Sequence, residues 1–190
     1  MKRIVFLDRQ HLGKPQKWRD IGASYDGIHE TWCTSIYLHY CEWKLREFDI
    51  DVVLISDGWY SERAHRVNKY AIGYDKAVYV AAHVNAGGGD YGSTFYDHRS
   101  TNGHKLASQI NERLHQWCDP LHNKTKEIAA RSDDWTQHAF NTIKRISTPV
   151  AVCFEPFFID CNDHKSLTTL SGLELVGTAL AVGIKSYLED

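Results

Sequence analysis

Thr148-Pro149-Val150-Ala151-Val152-Cys153-Phe154-Glu155-Pro156 points to one class of fold. Its centre is an almost unbroken apolar run, as in a strand covered on both faces, and such strands belong to parallel sheets with helices above and below. Pro156 lacks a backbone donor and ends regular pairing. Outward from it, Ile4-Val5-Phe6-Leu7 is a second apolar run that stops at polar Asp8-Arg9-Gln10-His11, a buried strand followed by a loop. Asp51 to Ser56, Lys76 to Ala82 and Ser93 to Tyr96 read as further strands. Between them, Cys33, Tyr37, Cys41, Leu45 and Phe48 recur at helical spacing, and Leu173, Val176, Leu180, Ile184 and Tyr187 stripe a last helix. Arg63 to Ile72 reads as a helix ending at Gly73, a common C-cap residue, and Gly103 to Trp117 as an amphipathic one. Asn123 to Ser132 is polar and reads as irregular; Lys124 to Thr142 is expected to form a loop facing the substrate.

Strands alternating with helices predict an α/β fold: one domain over residues 1–190, with a twisted, mostly parallel mixed sheet of about six strands flanked by helices on both faces. The chain has 190 residues and no repeat or Pro/Gly/Ser linker, so no boundary is drawn. A net charge of −2 supplies no field toward nucleic acid, and no such partner is expected. The apolar run after Met1-Lys2-Arg3 ends at Asp8, short of a secretory core or a membrane span. The expectation is a chain made in the cytoplasm without a signal peptide or membrane insertion. The five cysteines form no C-x-x-C pair and read as free thiols.

In α/β sheets, ligands bind beyond the carboxyl ends of the strands. His11, His83 and Glu155 each stand at the end of a predicted strand, and Glu30 opens the first long helix, where the helix dipole favours an acid. Two histidines and a carboxylate are a donor set suited to hydrolytic zinc, which takes three protein ligands and a water. A carboxyl at the end of an apolar strand loses hydration, so the pKa of Glu155 should rise, as a general base requires. Plainer readings stay open: Glu30 as a helix-start acid, Glu155 in a structural ion pair, His11 on the surface, Asn85 with Gly87 to Gly89 as a turn. The nine other histidines, His138 and His164 among them, read most simply as surface or rim residues. A cysteine nucleophile at Cys33 or Cys153 is a rival, although both fall at apolar positions.

Taken together, four segments resemble the zinc-dependent N-acetylmuramoyl-L-alanine amidases of the "amidase 3" type, particularly the catalytic domains of bacteriophage endolysins. They are Val5 to Gly13, Gly27-Ile28-His29-Glu30, Ala82-His83-Val84-Asn85-Ala86 and Thr148 to Asp160, in the family's order. The resemblance implies that His11, Glu30 and His83 bind Zn2+, that Glu155 is the catalytic glutamate, and that the substrate is peptidoglycan. A host-cytoplasmic phage lysis enzyme without a separate wall-binding domain is the corresponding expectation. A zinc endopeptidase cutting the stem peptide, or a non-catalytic wall-binding or virion module on the same scaffold, is the alternative. Trp59, Tyr60, Tyr91, Tyr96 and Trp135 are expected around the crevice, where aromatic rings suit sugar faces.

Overall fold

The computed structural model describes residues 1–12 and 20–190; Gly13, the last residue of the first family-like segment, lies outside them. In chain order the elements are β1 (Arg3–Arg9), β2 (Ser24–Tyr25), β3 (Ile28–His29), α1 (Glu30–Glu47), β4 (Asp51–Ile55), α2 (Tyr60–Tyr70), β5 (Lys76–Ala82), β6 (Gly92–Asp97), α3 (Thr101–Trp117), β7 (Thr125–Ala130), α4 (Gln137–Ile143), β8 (Val150–Glu155) and α5 (Leu170–Glu189).

Alternation along the central strands builds two cores. Val5, Leu7, Val78, Val80, Val152 and Phe154 point to one face, where they meet Cys33, Tyr37 and Leu45 of α1, Leu106 and Ile110 of α3, and Leu173 and Leu180 of α5. Ile4, Phe6, Tyr79, Ala81 and Cys153 point to the other, against Val67 of α2 and Ala139, Phe140 and Ile143 of α4. This two-sided burial is why these runs carry almost no polar residue. The sheet is six-stranded, in the order β4-β1-β5-β8-β6-β7, and mostly parallel; only the β8–β6 pairing is antiparallel. The expected α/β layer architecture is therefore present, with helices on both faces.

The registers bring the strand ends together. Arg9 pairs with Ala82 and Ala82 with Phe154, so the segments that follow β1, β5 and β8 leave the sheet side by side.

Three local expectations are corrected. The stretch 123–132 is not irregular: Thr125–Ala130 is an edge strand whose Lys126 and Glu127 are exposed, which hid it from a search for apolar runs. Nor is 124–142 one loop, because α4 anchors its second half through buried Ala139, Phe140 and Ile143. Asp8 does not begin a loop. It lies inside β1, fully buried, because Arg63 reaches it at 2.5 Å and the Tyr79 hydroxyl donates to it at 2.6 Å.

Candidate active site

His11 sits in a tight turn just after β1, closed by the Leu12 N–H donating to the Arg9 carbonyl at 3.0 Å. Buried Arg63 holds that turn from α2, donating to the carbonyls of Arg9 and Leu12 as well as to Asp8. His83 follows β5 directly, its N–H donating to the Phe154 carbonyl at 2.9 Å and its own carbonyl accepting from the Tyr37 hydroxyl at 2.9 Å. Glu30 is the first residue of α1 and only 3% exposed. Its Oε1 lies 2.9 Å from His83 Nδ1 and 3.4 Å from His11 Nε2. The Ala23 N–H donates to its Oε2 at 2.8 Å, and Gly22, with φ +68°, passes so close that a Cβ there would meet the same carboxylate.

One donor atom from each of His11, Glu30 and His83 lies within 4.8 Å of the other two. Ligand atoms on a tetrahedral zinc with bonds near 2.0–2.1 Å stand about 3.3–3.4 Å apart, so this donor set fits such an ion. His83 supplies a second sign of fit: its Nε2 is buried and has no hydrogen-bond partner among the described residues. A buried polar atom left so carries a desolvation cost.

The cluster is charged. Burial alone would raise the Glu30 carboxyl, but the hydrogen bonds and positive character of the two imidazoles overcome it and hold Glu30 far below the usual carboxylate range. Burial would depress His11, but Glu30 and Asp20 outweigh it and raise the imidazole above its ordinary value.

Glu155, the last residue of β8, faces the same edge. Burial pushes its carboxyl up, as the apolar strand before it implied, while the charge of His83 and an amide hydrogen bond from Asn85 oppose the rise. Asn85 is thus more than a turn residue. Its backbone also joins the segments after β5 and β8, donating to Phe157 at 3.0 Å and accepting from Ile159 at 2.8 Å. Asp160 fastens the glycines that follow, accepting the N–H groups of Gly87 and Gly88 at 2.9 and 3.1 Å.

The structure brings all four predicted residues together at one sheet edge. Three further ones escaped the sequence reading. Asp20 accepts from His11 Nδ1 at 3.0 Å and from the Gly22 N–H at 3.1 Å; an acid in an irregular segment carries no periodic signal. Asn85 contacts Glu155 directly. His138 is exposed, as expected, but its ring centroid lies 6.2 Å from that of His83. His164 reverses its expectation: it is fully buried, accepting the Phe158 N–H at 3.0 Å. Of the aromatics, Trp135 borders a small pocket with Glu155, whereas Tyr96 stacks on His104 and Tyr91 packs on Phe158. The cysteine rival fails on chemistry. Burial and the Glu30 charge push the Cys33 thiol up to about 12, and burial drives Cys153 well above its ordinary value, so neither supplies a thiolate near neutrality.

The family model for N-acetylmuramoyl-L-alanine amidase matches residues 5–186. The chain belongs to that amidase family. Its class of reaction is therefore hydrolysis of an amide bond in peptidoglycan. Solved structures share the amidase fold. Cwp6 from Clostridium difficile superposes with a TM-score of 0.79 at 23% identity, over 99% of this chain and 30% of its own. This amidase thus spans about a third of the Cwp6 chain. AmiC2, an N-acetylmuramoyl-L-alanine amidase of Nostoc punctiforme, gives 0.77 at 17% identity, over 100% of this chain and 99% of its own. The catalytic domain of the CD27L endolysin targeting Clostridium difficile gives 0.69 at 18%, over 98% of both chains. No curated protein sequence matches the amidase. No single helix among its described residues is long and apolar enough to cross a membrane.

Proposed function

We propose that this amidase is zinc-dependent, cuts the bond between the lactyl group of N-acetylmuramic acid and L-alanine, and does so with His11, Glu30 and His83 as metal ligands and Glu155 as general base and acid. The observation that supports this most is that two imidazoles and a buried carboxylate from three distant segments meet within 4.8 Å at the edge where Glu155 ends β8. Zinc held there would supply Lewis acidity and lower the pKa of a bound water from about 15.7 toward about 7. Glu155 takes a proton from the water as its oxygen bonds to the lactyl carbonyl carbon. The same carboxyl returns that proton to the alanine nitrogen as the C–N bond breaks, leaving a muramic carboxylate and a free amine. Asn85 orients Glu155 through its amide. The setting we propose is phage lysis with the whole chain acting as one catalytic domain, on the sequence resemblance to endolysin catalytic domains.

Digestion of purified peptidoglycan tests the reading. New L-alanine amino termini without new reducing sugars are expected, with stoichiometric zinc, loss of activity on chelation and no loss on treatment with iodoacetamide. His83→Ala should lose metal and turnover together, its zinc binding weakened by more than about 100-fold, since even an outer partner of a ligand is worth about 10–100-fold. New amino termini inside the stem peptide would make it an endopeptidase instead, and wall binding without any product would make it a non-catalytic module.

Asp20 belongs to this reading as a positioning residue. Metal-ligating histidines commonly give their other ring N–H to a carboxylate, which fixes the tautomer. Asp20 meets His11 Nδ1 in that way, leaving Nε2 toward Glu30. Asp20→Ala should weaken zinc about 10–100-fold in competition with a chelator, while activity at saturating zinc largely returns. Unchanged zinc affinity would remove Asp20 from the site.

A further inference from the structure

We propose that His138 is a further catalytic residue of this amidase, donating an N–H to the scissile carbonyl oxygen as negative charge develops on it. The inference rests on the site assignment above and adds to it a group from an element, α4, that none of the four core side chains uses.

Three observations carry it. First, His138 shares a pocket of about 200 Å³ with Glu155, Asn85 and Trp135. A base and a donor lining one small cavity flank the same reacting atoms. Second, the His138 ring stands 6.2 Å from the His83 ring, centroid to centroid, at 68°. That leaves an amide bound beside His83 within reach of the His138 nitrogens. Third, the mounting is rigid while the side chain is exposed. Thr136 accepts the Arg131 N–H at 2.7 Å, and Asp134 accepts from the Thr136 N–H at 2.7 Å, which fixes the start of α4. Ala139 and Phe140 are buried directly after His138, yet His138 itself is exposed to the cleft.

The chemistry has a use for such a group beside the Lewis acidity that zinc would supply. Attack of water on an amide carbon moves an electron pair onto the carbonyl oxygen, and Glu155, an acceptor when ionised, cannot stabilise that charge. A neutral imidazole keeps one N–H to donate and an imidazolium two. A preorganised donor aimed at a developing oxyanion is worth about 10²–10³-fold in kcat.

The experiment uses the zinc-loaded amidase, a soluble muramyl-peptide fragment as substrate, and a phosphinate analogue of the scissile amide as probe. For His138→Ala, kcat should fall about 100-fold with KM and zinc affinity unchanged, and the phosphinate should bind more weakly by a similar factor. His138→Gln, which retains an N–H donor, should recover most of both. A rim residue that merely packs would change neither kcat nor phosphinate binding; that result, or a loss confined to KM or to zinc binding, overturns the proposal. Wild-type protein that releases no L-alanine amino termini overturns the parent reading and this one with it. Active wild type with an equally active His138→Ala overturns this one alone.

Discussion

Glu155→Gln is expected to bind zinc as the wild type does and to hydrolyse peptidoglycan about 10²–10⁴-fold more slowly, the range that one acid–base group supplies. The upper part of that range is expected here, because the same carboxyl handles the proton twice. The substitution isolates this chemistry. Glutamine preserves shape, its carbonyl oxygen can still accept the Asn85 amide, and the backbone join between the segments after β5 and β8 does not involve the Glu155 side chain. It also relieves a cost, since burial already disfavours the ionised form of Glu155. The fold should therefore be no less stable. The decisive comparison is release of L-alanine amino termini against metal content: a variant full of zinc and nearly inert supports the role, whereas near-normal release would remove Glu155 from the mechanism. With His83→Ala, which should lose metal first and activity in consequence, it separates the ligand role from the base role.

Why these residues were legible is a matter of where they sit. His83 follows β5 and Glu155 ends β8, the two central strands, whose unbroken apolar runs announce themselves and whose ends lie where an α/β sheet binds its ligands. Lys76–Ala82 is legible residue for residue for that reason. β7 was missed because an edge strand has one open side and tolerates Lys126 and Glu127 in the open. α4 was missed because seven residues carry too little periodicity to stand out, and His138 went with it. Asp20 illustrates the deeper limit. It lies nine residues from His11 in a segment with no pattern, and only the folded chain shows that its carboxylate meets the imidazole. Asp8 shows the reverse error: a charged residue taken as the end of a strand is buried within one, because its partner Arg63 is 55 residues away.

That partner carries the largest expected effect on stability. Arg63 is fully buried and serves four acceptors: the Asp8 carboxylate at 2.5 Å and the carbonyls of Arg9, Leu12 and Gly58. Burial raises the Asp8 carboxyl, and Arg63 and the Tyr79 hydroxyl hold it back. Arg63→Met fills much of the volume but leaves a carboxylate and three carbonyls without their donor. Breaking a buried pair from one side costs about 3–5 kcal/mol. At about 2–4 °C per kcal/mol for a chain of this size, the melting temperature should drop by about 6–20 °C. Asp8→Asn in the same background should recover part of the loss, because it removes the stranded charge but not the orphaned carbonyls. Arg66→Ala is the control: Arg66 meets Asp57 on the surface, where water screens the pair, and melting should barely move. The loss should also reach the site. The turn that Arg63 holds is the one that presents His11, so below its melting point Arg63→Met should bind zinc more weakly, whereas a purely structural pair would leave zinc affinity intact. An Arg63→Met protein that melts with the wild type would mean that Asp8 is neutral in the fold and that the guanidinium neutralises nothing. His11 would then owe its position to the Asp20 contact and the Arg9–Leu12 turn alone.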